Sequence, residues 1–172
     1  EPMADFIDLF VIGEGEEVLP ELVELLRESK GQGKSDLLRQ AASIPGIYVP
    51  SLYEVEYRNG SFAGIIPRSA EAKPSVQRRV VASLPPPFTR PVMPYIEVVH
   101  DRGAIEIQRG CSRGCRFCQA GVVYRPVRER SPEQVEQAVG ELVQNCGYSE
   151  VSLVSLSTSD YQGIGELVAS LT

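Results

Sequence analysis

Proline restricts the fold of this chain more than any other feature of the sequence. The stretch that begins with Pro67 and ends at Tyr95 contains seven prolines, and three of them, residues 85–87, are consecutive. Because proline cannot donate a backbone hydrogen bond, such a stretch continues neither a helix nor a central strand. We therefore expect a surface connector here, with one α/β segment before it and another after it.

The segment before the connector has the pattern of an open α/β sheet. Residues 6–12 are almost continuously apolar and are followed by glycines, which predicts a strand buried on both faces of a parallel sheet. Apolar residues then recur at helical spacing until Gly31, with Pro20 expected in the first turn. A shorter helix is predicted over residues 36–42, with Ser35 as its N-cap.

A β-hairpin is predicted between the second helix and the connector. Aromatic or aliphatic residues alternate with glutamates from Tyr53 to Tyr57, and a second apolar run covers residues 62–66. The dipeptide Asn59-Gly60 lies between them, and it favours a tight turn because both residues adopt positive φ angles easily.

After the connector the chain again alternates between strands and helices. The order is a strand at 104–108, a helix at 131–146, a strand at 151–156 and the start of a helix after Gly163. Ser131, Pro132 and Gln134 provide an N-cap, a first-position proline and a capping box for the first of these helices. This alternation predicts parallel strands joined by crossover connections.

Three cysteines lie within eight residues between that first strand and its helix. Cys111, Cys115 and Cys118 have the spacing C-x3-C-x2-C on a glycine-rich loop. Such a loop can fold back on itself and direct three thiolates towards one point, where they can hold three irons of a 4Fe-4S cluster. The fourth iron would then have no protein ligand and would be open to a small molecule.

Zinc binding is the main alternative for these cysteines. A structural zinc site ordinarily needs four cysteine or histidine ligands, and His100 and Cys146 lie outside the loop. We interpret His100 as a hydrogen-bonded structural residue and Cys146 as a small apolar residue. Disulfides are disfavoured because three clustered thiols cannot pair evenly. A zinc-binding or structural module without catalysis is therefore the second hypothesis for this protein.

The cysteine motif resembles the signature of the radical S-adenosylmethionine (SAM) superfamily. The residues that carry the likeness are Cys111, Cys115, Phe117 and Cys118, in the order C-x3-C-x-aromatic-C after a first strand. The likeness covers about residues 104–172. Residues 107–132 and 8–17 are similar to a narrower group, the uncharacterised radical SAM proteins that carry a cobalamin-binding-like domain before the catalytic barrel.

The resemblance implies a chain in three parts. Residues 1–46 would be the C-terminal part of an open, Rossmann-like domain of the cobalamin-binding type, and residues 47–98 the hairpin and the Pro-rich linker. Residues 99–172 would be the first two β/α units of a partial (β/α) barrel. On this interpretation the chain is an internal fragment, inactive in turnover because two units cannot close a barrel, and its open sheet edges favour a homodimer.

The resemblance also implies cofactors. The three cysteines would hold a 4Fe-4S cluster, and SAM bound at the open iron would be cleaved reductively to start radical chemistry on an unknown substrate. The parent enzyme would need an electron donor. The usual cobalamin lower-ligand motif, Asp-x-His-x-x-Gly, is not in the sequence, so cobalamin would be bound only by the full-length parent.

Further residues would bind SAM if the resemblance holds. Phe117 would contact the adenine ring. The superfamily usually has a Gly-Gly-Glu-like segment after the second strand, which holds the SAM amino group, and here Ser157, Thr158, Ser159 and Asp160 stand in that place. Hydroxyl and carboxylate oxygens can accept a hydrogen bond from an ammonium group.

Charge is distributed unevenly along the chain. The whole sequence carries a net charge of −6, whereas residues 109–130 hold six arginines against one glutamate, a local net charge of +5. A global basic field that would attract nucleic acid is therefore absent, and any anion site must be local. The arginines either handle anions, namely the SAM carboxylate and a phosphorylated or RNA substrate, or pair with acidic helices as a solvated loop.

Hydropathy argues against a membrane-spanning segment. No apolar run approaches the roughly 18 residues that a transmembrane helix needs. No secretory signal precedes the first apolar run. We therefore expect a cytoplasmic protein without a membrane partner.

Overall fold

The computed structural model describes residues 3–96 and 99–171, which form two compact units. The first unit extends to Ala82 and the second begins at Ser83. Both contain helices and strands, so the chain has the mixed α/β architecture that its alternating patterns predict. No helix within the described ranges combines the length and the apolar character needed to cross a membrane.

The first unit packs two helices beside a short pair of strands, and a hairpin follows them. Its elements are β1 (Phe10–Val11), α1 (Gly15–Glu28), α2 (Lys34–Ala41), β2 (Ile47–Tyr48), β3 (Tyr53–Arg58) and β4 (Ser61–Pro67). β1 pairs with β2 and β3 with β4, in both cases antiparallel. The buried core of this unit consists of Val18, Leu38, Ala41, Ala42, Ile47 and Val49.

The prediction of a buried parallel strand over residues 6–12 is wrong. Only Phe10 and Val11 lie in a strand, which is antiparallel to its partner. The amides of Phe6 and Ile7 both donate to the carbonyl of Met3 and close a turn, so this part of the run cannot pair along a sheet. Phe6 is 81% exposed. An apolar run alone does not distinguish a buried strand from a turn that carries apolar side chains.

Both predicted helices of the first unit are present, but they begin earlier than expected. α1 begins at Gly15, so Pro20 is its sixth residue and lies beyond the first turn. Proline has no N–H to donate to the carbonyl four residues before it, that of Glu16, and Glu16 lies on the exposed side of the helix. α2 begins after Gly33, which is its N-cap, and Ser35 lies inside the helix.

The predicted hairpin is confirmed. Arg58 pairs with Ser61 across a two-residue turn. Asn59 has a φ angle of 53° and Gly60 one of 77°. Positive φ angles at both central positions are those of a type I′ turn, whose twist matches the twist of the two strands.

The turn after β1 fixes the end of the first unit as well as starting α1. The amide of Glu14 donates to the carbonyl of Arg79 at 3.0 Å, and the buried Glu14 carboxylate accepts from the amide of Val81 at 2.7 Å. A Cβ atom on Gly13 would lie 2.2 Å from the Arg79 carbonyl oxygen. Glycine at this position therefore lets the two backbone segments approach.

The second unit contains the predicted alternation of strands and helices. Its elements are β5 (Gly103–Glu106), β6 (Gln108–Arg109), α3 (Ala120–Val123), β7 (Arg128–Glu129), α4 (Pro132–Cys146), β8 (Val151–Val154) and α5 (Ile164–Leu171). β5 and β8 are parallel, as predicted, and α4 lies between them in the chain. The buried core consists of Ile105, Ile107, Val135, Ala138, Leu142, Tyr161 and Leu167.

The ends of α4 follow the sequence signals. The Ser131 hydroxyl accepts from the amide of Gln134 at 3.3 Å, and the Gln134 side chain accepts from the amide of Ser131 at 3.1 Å. Pro132 is the first residue of the helix, and Gly147 ends it with a φ angle of 71°. The capping box and the left-handed C-terminal glycine satisfy backbone groups that would otherwise lack partners.

The Pro-rich segment is a connector, as predicted. Between β4 and β5 the described residues form no helix and no strand of two or more residues. Its second half is nevertheless held against α4. The Arg130 guanidinium donates to the carbonyl of Pro85, and Asn145 Nδ2 donates to the carbonyl of Thr89 at 3.1 Å.

Candidate metal centre

Residues 110–127 of the second unit form a loop, here named the cysteine loop, that begins and ends beside a pair of short strands. The strands on either side of the loop, β6 and β7, pair with Gln108 opposite Glu129 and Arg109 opposite Arg128. Gln108 Nε2 also donates to Glu129 Oε1 at 2.7 Å. This pairing closes the base of the loop just beyond the end of β5.

All three predicted cluster ligands lie in the cysteine loop as free thiols. Cys111 and Cys118 are half-buried, whereas Cys115 is exposed. The amide of Cys118 donates to the carbonyl of Cys115 at 3.0 Å, which joins these two residues in a turn. Across residues 3–96 and 99–171, no three side chains of His, Cys, Asp or Glu form a group that could hold a metal ion. The thiols are therefore close in sequence but do not share a common centre in this structure.

The donor set fits an iron-sulfur cluster better than it fits zinc. Three cysteine sulfurs can hold three of four irons, while a structural zinc site would lack its fourth ligand. Cys146 packs against the core of the second unit at the end of α4, as an apolar residue would, and is not part of the loop. His100 precedes β5, with its ring nitrogen Nδ1 3.4 Å from Arg102 Nη2.

Arg113 connects the cysteine loop to the segment after β8. It lies between the first two cysteines, and its Nε donates to Asp160 Oδ2 at 2.6 Å while Nη2 bonds Oδ1. The Ser157 hydroxyl also donates to Asp160 Oδ2, at 2.8 Å. Hydrogen bonds from Arg113 and Ser157 lower the pKa of Asp160 from 3.8 to about 2. The carboxylate is therefore charged at neutral pH.

Arg113 interacts electrostatically with two cysteines of the loop as well as with Asp160. The hydrogen bond to Asp160 raises the pKa of Arg113, and negative charge on Cys111 and Cys115 adds a smaller contribution. The amide of Arg113 donates to Cys111 Sγ at 3.5 Å. Arg113 therefore contacts the Cys111 sulfur through its backbone amide and the Asp160 carboxylate through its side chain.

The structure brings some of the predicted SAM-binding residues together and leaves others apart. Ser157 and Asp160 are hydrogen-bonded neighbours, and both belong to the segment that Arg113 reaches. Thr158 forms a 2.9 Å hydroxyl contact with Ser155. Ser159 is exposed, and Phe117 is 93% exposed on the cysteine loop. Phe117 is thus available to a ligand without supporting the fold.

The arginines of this region have several different roles. Arg109 forms two hydrogen bonds with Glu106 of β5, at 2.9 and 2.8 Å. Arg130 is buried and donates to the backbone carbonyls of Glu106, at 2.7 Å, and Pro85, so it is structural. Burial lowers the pKa of Arg130. Arg109 pairs with a residue of a strand, so the alternative of pairing with an acidic helix is wrong for Arg109. Asp160, the partner of Arg113, lies in a short 3-10 helix, Thr158–Asp160.

Sequence reasoning did not single out Arg113 among the six arginines. Its position between two predicted ligands, Cys111 and Cys115, was the one local signal. Its partner Asp160 lies 47 residues further along the chain. A pair at that separation depends on the parallel pairing of β5 and β8, which brings the segments after both strands to the same edge of the sheet.

Two family matches cover more than two thirds of the chain. Residues 1–50 match the family of radical SAM proteins, N-terminal. Residues 105–172 match the radical SAM superfamily, and this range contains all three cysteines of the loop. No solved structure matches the chain.

Two curated relatives extend the comparison. An uncharacterised protein of Methanocaldococcus jannaschii is 26% identical over 174 residues, which cover 96% of this chain and 31% of the relative. The tRNA-2-methylthio-N(6)-dimethylallyladenosine synthase of Clostridium botulinum is 35% identical over 57 residues, 33% of this chain and 12% of the relative. The chain therefore spans about a third of the length of the first relative. With both family matches in the expected order along the sequence, the chain belongs to the radical SAM superfamily of iron-sulfur proteins.

Proposed function

We propose that Cys111, Cys115 and Cys118 bind a 4Fe-4S cluster and that the protein is part of a radical SAM enzyme. The observation that carries this proposal is the presence of three free thiols on one exposed loop, inside the segment that matches the superfamily. A cluster with three sulfur ligands has one iron open to SAM. When bound, such a cluster supplies the electron that breaks the sulfonium bond of SAM to methionine and a 5′-deoxyadenosyl radical.

The residues of the chain would bind and orient the cofactors. The three thiolates would hold the cluster, and the exposed Phe117 ring offers a surface on which adenine can stack. Ser157, Ser159 and Asp160 would accept hydrogen bonds from the SAM amino group. Asp160 already accepts from Arg113 and Ser157, but a carboxylate offers about four lone-pair sites, so it can take an ammonium group as well.

The same proposal includes the organisation inferred from the sequence. Residues 1–46 would be the C-terminal part of a domain of the cobalamin-binding type, and residues 47–98 would be a hairpin and a Pro-rich linker. Residues 99–172 would be the N-terminal part of a partial (β/α) barrel. The parallel β5 and β8, connected through α4, support the last assignment. Cobalamin would then be a cofactor of the longer parent protein, and an electron donor would be one of its partners.

We propose RNA or another phosphorylated molecule as the substrate. The cysteine loop carries exposed aromatic residues, Phe117 and Tyr124, within a segment of net positive charge. Exposed aromatic rings stack on unpaired bases, and arginines bind phosphate. The clostridial relative is named for the modification of a tRNA nucleoside.

We also propose that the chain forms a homodimer through its open sheet edges. The unpaired edge of a strand can form hydrogen bonds with the same edge of a second copy.

Anaerobic reconstitution with iron and sulfide tests the proposed function. We expect electron paramagnetic resonance of the reduced protein to give a 4Fe-4S signal that changes when SAM is added. Cys115→Ala should abolish the signal, while Cys146→Ala, the matched control outside the loop, should retain it. A folded protein that takes up no iron, or that binds stoichiometric zinc in metal analysis, would contradict the proposal.

A further inference from the structure

Arg113 and Asp160 connect the cysteine loop to the segment after β8. Two parallel hydrogen bonds join them, Nε to Oδ2 at 2.6 Å and Nη2 to Oδ1. The Arg113 side chain is 60% exposed and that of Asp160 is 24% exposed. An exposed ion pair adds little to global stability, so its effect should lie in the geometry that it imposes. The planar fork of arginine makes such a bidentate pair directional.

The two sides of this contact differ in how firmly they are held. Asp160 directly precedes Tyr161, which is 3% exposed and donates from its hydroxyl to the carbonyl of Arg130 at 2.8 Å. Asp160 is therefore attached to the core of the second unit. Arg113 precedes Gly114, which has a φ angle of 67° and belongs to an exposed part of the loop. The contact thus holds the glycine-rich cysteine loop against a residue that is anchored to the core.

Arg113 is also close to the thiols that it separates. Its amide donates to Cys111 Sγ at 3.5 Å, and it is two residues from both Cys111 and Cys115. Hydrogen bonds to the sulfurs and the charge around a cluster set its reduction potential. Asp160 neutralises the Arg113 guanidinium in this arrangement, so the pair presents a small net charge to the cysteines.

We propose that Arg113 and Asp160 are a positioning pair, which fixes the Cys111–Cys115 stretch for cluster binding and balances the charge beside the cluster. This inference rests on the proposed function, since it assigns a role to residues around a cluster. It makes two separate predictions. Breaking the pair should weaken iron retention, and the two ways of breaking it should shift the reduction potential in opposite directions.

The directions follow from the charge that each variant leaves behind. Asp160→Asn leaves the Arg113 guanidinium without its counter-charge, which favours the more negative, reduced cluster and raises the potential. Arg113→Gln leaves the Asp160 carboxylate alone and should lower the potential. A residue that only stabilised the fold would not give shifts of opposite sign.

The experiment compares wild-type protein with Arg113→Gln, Asp160→Asn and the exchanged pair Arg113→Asp with Asp160→Arg. Arg102→Gln is the matched control, because Arg102 and Glu150 form an exposed pair, 3.4 Å apart, immediately before β5 and β8. After reconstitution, iron retention against a chelator and the midpoint potential are measured. Hydrogen exchange of the cysteine-loop amides is measured on the metal-free protein.

We expect both single variants to lose iron about tenfold faster than wild type, the size of effect typical for residues that orient metal ligands. Their potentials should shift in opposite directions, and their loop amides should exchange faster. The exchanged pair should recover part of the retention, and Arg102→Gln should match wild type. Single variants that match wild type in iron retention, potential and exchange would overturn the inference, as would potential shifts of the same sign. Wild-type protein that binds no iron would instead refute the proposed function and, with it, the role assigned to this pair.

Discussion

Gly110 and Tyr124 lie so close together that only glycine fits at the first position. A Cβ atom on Gly110 would be 2.5 Å from the carbonyl oxygen of Tyr124 and 2.6 Å from that of Pro126. The φ angle of Gly110 is +88°, a conformation that side chains rarely adopt. This close approach closes the base of the cysteine loop immediately before Cys111.

We expect Gly110→Ala to open the base of the loop. The substitution combines an unfavourable φ angle with a collision against backbone atoms that cannot rotate away, and it should cost about 3 kcal/mol in the free energy of unfolding. Iron uptake should fall with it, since Cys111 is the next residue. Urea unfolding and iron analysis of the reconstituted protein measure both effects.

Gly140→Ala is the matched control for this substitution. Gly140 lies inside α4 and has no atom within 4 Å of the position that a Cβ would take. Alanine there should stabilise the protein by up to about 1 kcal/mol, because it favours the helix. If both alanine variants unfolded alike, the close approach at Gly110 would not be what restricts that position.

Local sequence signals predicted the parts of this fold that local interactions determine. The capping box of Ser131 and Gln134 marked the start of α4, and Asn59-Gly60 marked the hairpin turn. In both cases the residues that carry the signal make the hydrogen bonds or adopt the φ angles that form the structure. The parallel pairing of β5 and β8 also followed, because the alternating pattern allows few other topologies.

The sequence failed to predict one local turn and one contact between distant residues. The apolar residues around Phe6 have the composition of a strand, yet nearby hydrogen bonds to Met3 form a turn instead. The cysteine spacing indicated the three proposed ligands but not Arg113, which pairs with Asp160 in a segment 47 residues away. An apolar composition fits both a strand and a turn, and the contact of Arg113 with Asp160 depends on how the chain returns to itself.

Leu142 and Val143 should differ sharply in their effect on stability although they are neighbours in α4. Leu142 is 1% exposed, and one of its methyl groups occupies the space beside Gly103 in β5. Leu142→Ala should therefore cost about 2 to 5 kcal/mol through lost burial and a residual cavity. Val143 is 40% exposed, and Val143→Ala should cost less than about 1 kcal/mol. Urea unfolding of the two variants gives both values, and similar losses would contradict the core position of Leu142.

Acid should weaken the contact between Arg113 and Asp160 in a defined pH range. The pKa of Asp160 is about 2 in the folded protein and 3.8 without its partners. Because the folded pKa is lower, the carboxylate stabilises the fold fully above pH 3.8, and this contribution is lost as the pH falls through about 2.

The comparison of metal-free wild type with Asp160→Asn isolates this effect from the other carboxylates. The difference between their thermal unfolding midpoints should be constant above about pH 5, decrease below pH 3.8 and vanish only below about pH 2. The difference between wild type and Arg102→Gln should not follow this pattern, because that substitution leaves the contact between Arg113 and Asp160 in place. A difference that stays constant down to pH 2 would show that Asp160 has an ordinary pKa and is not held by Arg113.

Phe117 should matter for ligand binding and not for folding. Its ring is 93% exposed, so Phe117→Ala should change the free energy of unfolding by less than about 0.5 kcal/mol. If the ring stacks on the adenine of SAM, its loss should weaken SAM binding about threefold to tenfold. Titration of the reconstituted, reduced protein with SAM, followed by electron paramagnetic resonance, measures that affinity. Phe117→Tyr retains a stacking surface and should bind nearly as wild type does. Equal affinities for wild type and Phe117→Ala, with the cluster signal intact in both, would rule out the adenine contact while leaving the assignment of the three cysteines unaffected.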